Sequence, residues 1–211
     1  MKKSALCMTL VLLMIMSLVC PASAATFDND TIPIPTATGR ITYEDGTYCN
    51  IIGTLVAIST PSRLINSDTE ATYRFDLYDY NVQNNSLEVS QGDGALCSTV
   101  YLTIHYSAKN EPTEYRLNRV SGYWEIRDSR VSIESAYLSY GCSGFFPQPI
   151  VQNALDVPVT NNFNISTGFT NYVTSDGGVM GANLTLNYLM GTTRRWSFTL
   201  QNLLFNNPTI A

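Results

Sequence analysis

The segment richest in chemically useful side chains runs from residue 115 to residue 130, with the sequence YRLNRVSGYWEIRDSR. Ser121-Gly122 near its middle predicts a two-residue β-hairpin turn, because glycine accepts the positive φ that such turns require. In that hairpin Arg119 lies opposite Trp124, where the guanidinium would cover the indole as a cation–π pair. Arg116 lies opposite Arg127 on the other face.

Two facing arginines are the arrangement that clamps an anion through charge-assisted hydrogen bonds. The alternative is a solvated face on which Glu125 neutralises one guanidinium. The segment is the best candidate binding site in the chain. The five residues proposed for it are Arg116, Arg119, Tyr123, Trp124 and Arg127.

Paired carboxylates are the next chemistry to consider, because glycosidases cleave between two carboxyl groups about 5–9 Å apart. Glu125 and Glu134 are the only reasonable pair within strand-like runs. The chain has only two tryptophans to stack sugars and lacks an E-x-D-x-E spacing. A small secreted carbohydrate-active hydrolase using these glutamates is therefore the alternative to a non-catalytic protein.

Nucleophilic catalysis would have to use His105, the only histidine in the chain. A Ser-His-Asp site usually places its serine in a G-x-S-x-G elbow, and no serine here has one. A Cys-His site would use Cys97 or Cys142 with the same histidine. His105 lies in an alternating strand pattern, which favours a structural role, and we predict no catalytic residue.

The cysteines determine which disulfides are possible, and the cysteines and acidic loops determine which metal sites are possible. Residues 1–24 read as a signal peptide, which leaves Cys49, Cys97 and Cys142, so at most one pair forms a disulfide. No C-x-x-C spacing accompanies them, and we predict no metal site or cofactor. A structural calcium at residues 28–30 or 91–94 remains an alternative, although neither segment follows a known ligand ladder.

The elements that would carry these residues are strands. Residues 72–80, 99–106 and 131–135 alternate apolar and polar side chains, the period of a half-buried strand. Residues 183–200 predict a β-hairpin across Gly191-Thr192-Thr193. The mature chain shows no helix-period segment of useful length. We therefore predict an all-β fold, an antiparallel two-sheet sandwich of about eight to ten strands, with a closed β-barrel as the alternative.

The N-terminus predicts export. Lys2 and Lys3 precede an apolar run that ends in Ala22-Ser23-Ala24, the order of a secretory signal peptide. Lipidation at Cys20 is the alternative, and the Met-Lys-Lys opening is typical of bacteria. Residues 25–39 read as an extended lead-in and residues 40–211 as a single β domain.

The composition of the mature chain limits the classes of partner that it could bind. Without the signal peptide the chain has ten basic and seventeen acidic residues, a net charge of −7, which argues against nucleic acid. No second apolar run is long enough for a transmembrane segment. Thirteen tyrosines suggest exposed aromatic faces. We expect a secreted, non-catalytic binding or surface-interaction protein whose partner is a glycan or another protein.

Overall fold

The computed structural model describes residues 36–59, 69–78, 96–109, 114–145 and 148–206. The strands found there are β1 Thr36–Tyr43, β2 Tyr48–Ile52, β3 Thr54–Ser59, β4 Thr69–Tyr78, β5 Leu96–Lys109, β6 Glu114–Ile126, β7 Val131–Gly144, β8 Ile150–Pro158, β9 Phe163–Ser166, β10 Val173–Thr174, β11 Val179–Met190 and β12 Arg194–Asn206.

These strands form two antiparallel sheets of six strands each within the described ranges, and neither sheet closes into a barrel. Sheet A has the order β2-β1-β12-β11-β7-β8. Sheet B has the order β10-β6-β5-β4-β3, and β9 pairs with β6 on the same side as β10. The predicted all-β, two-sheet architecture is confirmed, and the barrel alternative is not what forms.

Alternate residues of the long strands point into one core between the sheets. In β5, Val100, Leu102 and Ile104 are completely buried, as their spacing predicts. The predicted hairpin is also confirmed, because β11 and β12 pair from Met190 opposite Arg194 across a turn in which Gly191 has a φ of 62°. Each fully buried large apolar side chain contributes about 1.5–3 kcal/mol relative to exposure.

Two polar contacts cross this core. The Asn202 side chain on β12 donates from Nδ2 to the carbonyl oxygens of Ala71 and Leu102 in sheet B, at 3.1 and 3.0 Å. The hydroxyls of Ser98 on β5 and Tyr188 on β11 are 2.9 Å apart. Because Asn202, Ser98 and Tyr188 are completely buried, these bonds fix how the sheets face each other.

The predicted hairpin turn at Ser121-Gly122 is wrong. Both residues lie inside β6, which continues to Ile126 between β5 and β9. Gly122 serves close packing instead, since a Cβ there would lie 2.6 Å from the Tyr101 carbonyl oxygen and 2.7 Å from Cζ of Phe163. A mid-strand glycine that admits a neighbouring group is a known alternative to a turn.

A β-bulge at Asn118 sets the faces of β6. Tyr106 pairs with Leu117 while the preceding His105 pairs with Arg119, so β6 carries one extra residue at this point. The bulge shifts the alternation, because a one-residue insertion moves later side chains to the opposite face. As a result, Arg119 and Ser121 face outward, whereas Trp124 faces the core.

The predicted signal peptide and most of the lead-in lie outside the described residues, as do the two acidic loops at 28–30 and 91–94. The last four residues of the lead-in, 36–39, belong to β1 and pair with β12. None of the described segments forms a helix long and apolar enough to cross a membrane.

Candidate functional site

The outward side chains of β4, β5 and β6 form a polar surface that we call the outer face of sheet B. Cross-strand pairing places these side chains in adjacent rows. Its members are Glu70, Thr72, Arg74 and Asp76 from β4, Thr99, Tyr101, Thr103 and His105 from β5, and Arg119, Ser121, Tyr123 and Glu125 from β6.

His105 lies between a carboxylate and a hydroxyl on this face. Its Nδ1 is 2.9 Å from Glu70 Oε1, and its Nε2 is 2.8 Å from Ser121 Oγ. The imidazole is nearly covered, with 6% of the side chain exposed, whereas Glu70 is 45% exposed. Three neighbouring strands therefore bring a serine, a histidine and a glutamate into one hydrogen-bonded line, the order found in serine hydrolases.

The proton on His105 is placed by the two neighbours of Nδ1. Arg119 Nη2 is 3.0 Å from Nδ1 and could only donate to it, whereas Glu70 Oε1 is 2.9 Å away and could only accept from it. Arg119 Nη2 is also 3.4 Å from Glu70 Oε1. A guanidinium only donates and a carboxylate only accepts, so a bare Nδ1 would set its lone pair against the Glu70 anion. Protonation at Nδ1 removes that repulsion at the shorter contact, and the Arg119 guanidinium then donates to Glu70 alone, because it cannot bond a protonated nitrogen. We assign this tautomer, in which Nε2 accepts from the Ser121 hydroxyl.

Ser121 is half-buried, and a strand pairs with β6 on each side of it. Thr103 lies opposite Ser121 on β5, and Asn164 lies opposite it on β9. Since β6 has a strand on each side here, its amides are used in the ladders. Asn164 is exposed, and its side-chain amide is a hydrogen-bond donor beside the serine.

Two stacked tyrosines form a second feature of the same face. The rings of Tyr101 and Tyr123 are 4.4 Å apart between centroids and within 13° of parallel, and Tyr123 is 39% exposed. We call this pair the tyrosine shelf. Partial burial raises the pKa of Tyr123, with further contributions from Tyr101 and Glu125, so the phenol stays neutral near neutral pH.

Charged pairs surround the tyrosine shelf. On β4, Arg74 bonds Asp76 at 2.6 Å, and Thr99 donates to the same carboxylate at 3.0 Å. At the end of β6, Arg127 pairs with Glu125. Hydrogen-bond donors (the arginines) and acceptors (the carboxylates) thus lie around one exposed aromatic surface.

The five predicted binding residues do not form one site. The cation–π pair of Arg119 with Trp124 is wrong, because Trp124 is buried in the core and Arg119 is on the outer face. The anion clamp of Arg116 with Arg127 is wrong as well, since both lie on one continuous run of chain rather than opposite each other. The structure brings Arg119 and Tyr123 to the outer face.

Arg116 belongs to a different cluster. Its guanidinium lies 4.8 Å from the ring centroid of Tyr172, and Lys109 lies 4.6 Å from the same centroid. Arg116 also donates to Asn118 at 2.8 Å, and Lys109 pairs with Glu114 at 3.0 Å. These contacts place Tyr172 between two cations.

The two glutamates of the hydrolase alternative are not brought together. Glu125, on sheet B, pairs with Arg127, whereas Glu134, on sheet A, is bonded by Arg195 at 2.9 and 3.1 Å. Arg195 lowers the pKa of Glu134, the opposite of what a general acid requires. Glu134 lines an open cavity of about 610 Å³ beside Trp124, and Glu125 is not part of that lining.

The three cysteines of the mature chain lie on different strands. Cys49 on β2 is half-buried, whereas Cys97 on β5 and Cys142 on β7 are buried, and Cys49 and Cys142 form no disulfide with each other. Burial raises the pKa of Cys142 to about 11, so its thiol is inert at neutral pH. Across the described ranges, no three His, Cys, Asp or Glu side chains gather into a metal site.

Sequence reasoning singled out His105 but missed Glu70, Ser121 and Asn164. The alternation around residues 99–106 correctly placed His105 opposite the core side chains. The sequence predicts Ser121 in a hairpin turn, where it would have no neighbour across a strand, whereas the structure places it inside β6. Asn164 lies in a four-residue strand that carries no pattern of its own.

Fold and site together define an all-β sandwich with a serine–histidine–glutamate line and a tyrosine shelf on one sheet. Comparison with protein-family models, with curated proteins and with solved structures finds no match to this chain. The proposals below therefore rest on the geometry of its residues.

Proposed function

We propose that the chain is an exported protein that binds a glycan on the tyrosine shelf. Export is supported by residues 1–24, whose charged start, apolar run and small-residue end follow the order of a signal peptide. Binding is supported by one observation above all, the stacked Tyr101 and Tyr123 pair on an outward sheet face.

The chemistry of the tyrosine shelf suits a sugar. One face of a pyranose ring presents C–H groups that pack on an aromatic ring, while its hydroxyls need both donors and acceptors. Planar donors and acceptors surround the shelf: the guanidinium groups of Arg74 and Arg127 donate, and the carboxylate of Asp76 accepts. Stacking of Tyr123 on Tyr101 also fixes the exposed ring before a ligand arrives, which lowers the entropic cost of binding.

A protein partner fits this surface less well. Stable protein interfaces bury about 800 Å² on each side and have an apolar centre depleted in charge. On the outer face of sheet B, one exposed ring is bordered by the ion pairs of Arg74 with Asp76 and of Arg127 with Glu125. That arrangement favours a small polar ligand.

A glycan array probed with the intact chain tests binding, and Tyr123→Ala identifies the surface. We expect Tyr123→Ala to weaken binding of any array hit by at least about tenfold, or about 1.4 kcal/mol, in calorimetric titration. The matched control is Tyr137→Ala, since Tyr137 is 38% exposed but lies on β7 of sheet A. An empty array, or equal losses in the two variants, would contradict the proposal.

Export is tested separately by the mass of protein recovered outside the expressing cells. We expect that mass to correspond to a chain starting after Ala24. Retention of the first 24 residues on the recovered protein would contradict export by this signal.

A further inference from the structure

We propose that Ser121, His105 and Glu70 form a nucleophilic triad that hydrolyses acyl esters. The geometry that carries this inference is the pair of contacts at the imidazole, 2.8 Å to the serine oxygen and 2.9 Å to the carboxylate. Both distances fall within the range for a serine activated by an oriented base. The proposal departs from the expectation of a non-catalytic protein.

Each member has a defined role. Glu70 accepts a hydrogen bond from Nδ1–H and so keeps Nε2 unprotonated, in the form that acts as the base. Glu70 is a positioning residue, because it reaches the serine only through His105. The near-complete burial of His105 among its neighbours restricts rotation of its ring, which keeps the base directed at Ser121.

The reaction balances without a cofactor. Ser121 Oγ bonds to the acyl carbon while its proton moves to His105 Nε2, and the carbonyl electron pair moves to oxygen. Collapse of this intermediate breaks the ester C–O bond, and the leaving alkoxide takes the proton from Nε2. Water then attacks the acyl-serine by the same proton path, which releases a carboxylic acid and regenerates Ser121.

Asn164 is the group placed to stabilise the oxyanion. The amides of β6 around Ser121 are taken up by the ladders, so no backbone oxyanion hole forms there. Arg119 contacts the Nδ1 side of the imidazole, away from the serine. Asn164 lies directly opposite Ser121, and a side-chain amide at such a position is worth about 10²–10³ in rate where it has been removed.

The tyrosine shelf suggests the substrate class, and this part rests on the proposed function. Tyr123 follows Ser121 by two residues on the same face, which places the two side chains about 7 Å apart along the strand. A sugar stacked on Tyr123 therefore has its ring substituents within reach of Ser121. The expected substrate is an O-acylated sugar, from which the enzyme removes the acyl group.

A fluorophosphonate probe tests the nucleophile on the intact chain. We expect one phosphonyl group on Ser121, identified by peptide mass spectrometry, with loss of fluoride and of the serine proton. Ser121→Ala should abolish labelling, whereas Ser132→Ala, an exposed serine on β7, should leave it unchanged. No label, or a label at another residue, would overturn the proposal.

Steady-state hydrolysis of p-nitrophenyl acetate tests the roles of the other residues. Glu70→Gln and Asn164→Ala should each lower kcat by about 10²-fold, and Glu70→Asp should recover part of the loss. Equal effects of the two Glu70 variants would overturn its positioning role. Urea unfolding of every variant separates loss of activity from loss of fold.

Tyr123→Ala separates this proposal from the glycan-binding proposal. The variant should lower kcat/KM for acetylated oligosaccharides by a larger factor than kcat/KM for p-nitrophenyl acetate, because only the sugar substrate stacks on the tyrosine shelf. Glycan binding without labelling of Ser121 would overturn the triad alone. Labelling and simple ester hydrolysis with no preference for acylated sugars would overturn the shelf alone.

Discussion

Replacing Tyr188 with phenylalanine removes one hydroxyl from the interior and leaves the ring in place. The Tyr188 hydroxyl is 2.9 Å from the Ser98 hydroxyl, and both residues are completely buried. The ring itself stacks on Trp196 with 5.2 Å between centroids, a contact that phenylalanine can keep. The expected loss is therefore that of one buried hydrogen-bond partner, about 1–3 kcal/mol of unfolding free energy.

A double-mutant cycle isolates the bond between the sheets. Ser98→Ala strands the Tyr188 hydroxyl at a similar cost, whereas the double variant leaves no buried group unpaired. We therefore expect the double variant to lose about as much as one single variant, which corresponds to a coupling of about 1–3 kcal/mol.

Urea unfolding at constant m-value measures these differences, and Tyr137→Phe is the control at an exposed tyrosine. The reasoning would be refuted if Tyr188→Phe matched the wild-type midpoint. Additive losses in the double variant would also refute it, because they would mean that the two hydroxyls do not interact.

Three further predictions concern the core. Asn202→Asp places a carboxylate oxygen against two main-chain carbonyl oxygens at 3.0–3.1 Å. We expect this variant to lose more than about 3 kcal/mol of unfolding free energy, measured by urea unfolding. Asn206→Asp, at the exposed end of β12, is the control and should not be destabilised in this way. Burial raises the pKa of Tyr106 and of Tyr115 from 10 to about 12. The unfolded chain loses these phenol protons at lower pH than the folded chain does, so the contribution of the neutral phenols to stability is fully present below pH 10. The unfolding free energy should then fall by about 1.4 kcal/mol per pH unit per tyrosine between pH 10 and 12. Equal urea midpoints across that range would contradict this prediction. Gly122→Ala forces a Cβ to within 2.6 Å of a carbonyl oxygen and should lower the urea midpoint, and an unchanged midpoint would mean that β6 does not pack this way.

The sheet faces could be predicted from the sequence wherever alternation is regular. The pattern of residues 99–106 separated the core side chains from His105, and the pattern of residues 183–200 defined the last hairpin. In these strands the residue type at each position indicates whether its side chain faces the core or the solvent, because successive side chains of a strand point to opposite faces.

The faces of β6 could not be predicted in this way. Ser121-Gly122 resembles a turn locally, but these residues pair with β5 and with β9, whose Phe163 packs against Gly122 from 41 residues away along the chain. The bulge at Asn118 then moves the later side chains of β6 to the opposite face, and no local sequence pattern predicts it. Pairing of Arg119 with Trp124 failed for both reasons.

The candidate site depends on register rather than on residue type. Glu70, His105 and Ser121 are separated by 35 and 16 residues, and only the pairing of β4, β5 and β6 brings them together. A serine, a histidine and a glutamate on separate strands carry no spacing that a motif could describe. The G-x-S-x-G elbow belongs to one fold class, so its absence from this chain does not bear on a serine in the middle of a sheet strand.

The central structural claim is that β6 runs straight through Ser121, which places this serine beside His105. Backbone nuclear Overhauser effects in labelled protein test it most directly. The structure predicts cross-strand signals from Ser121 to Thr103 on one side and to Asn164 on the other. Signals joining Val120 to Tyr123 across a two-residue turn, with none from Ser121 to Thr103, would contradict the strand, the triad and the position of the tyrosine shelf together.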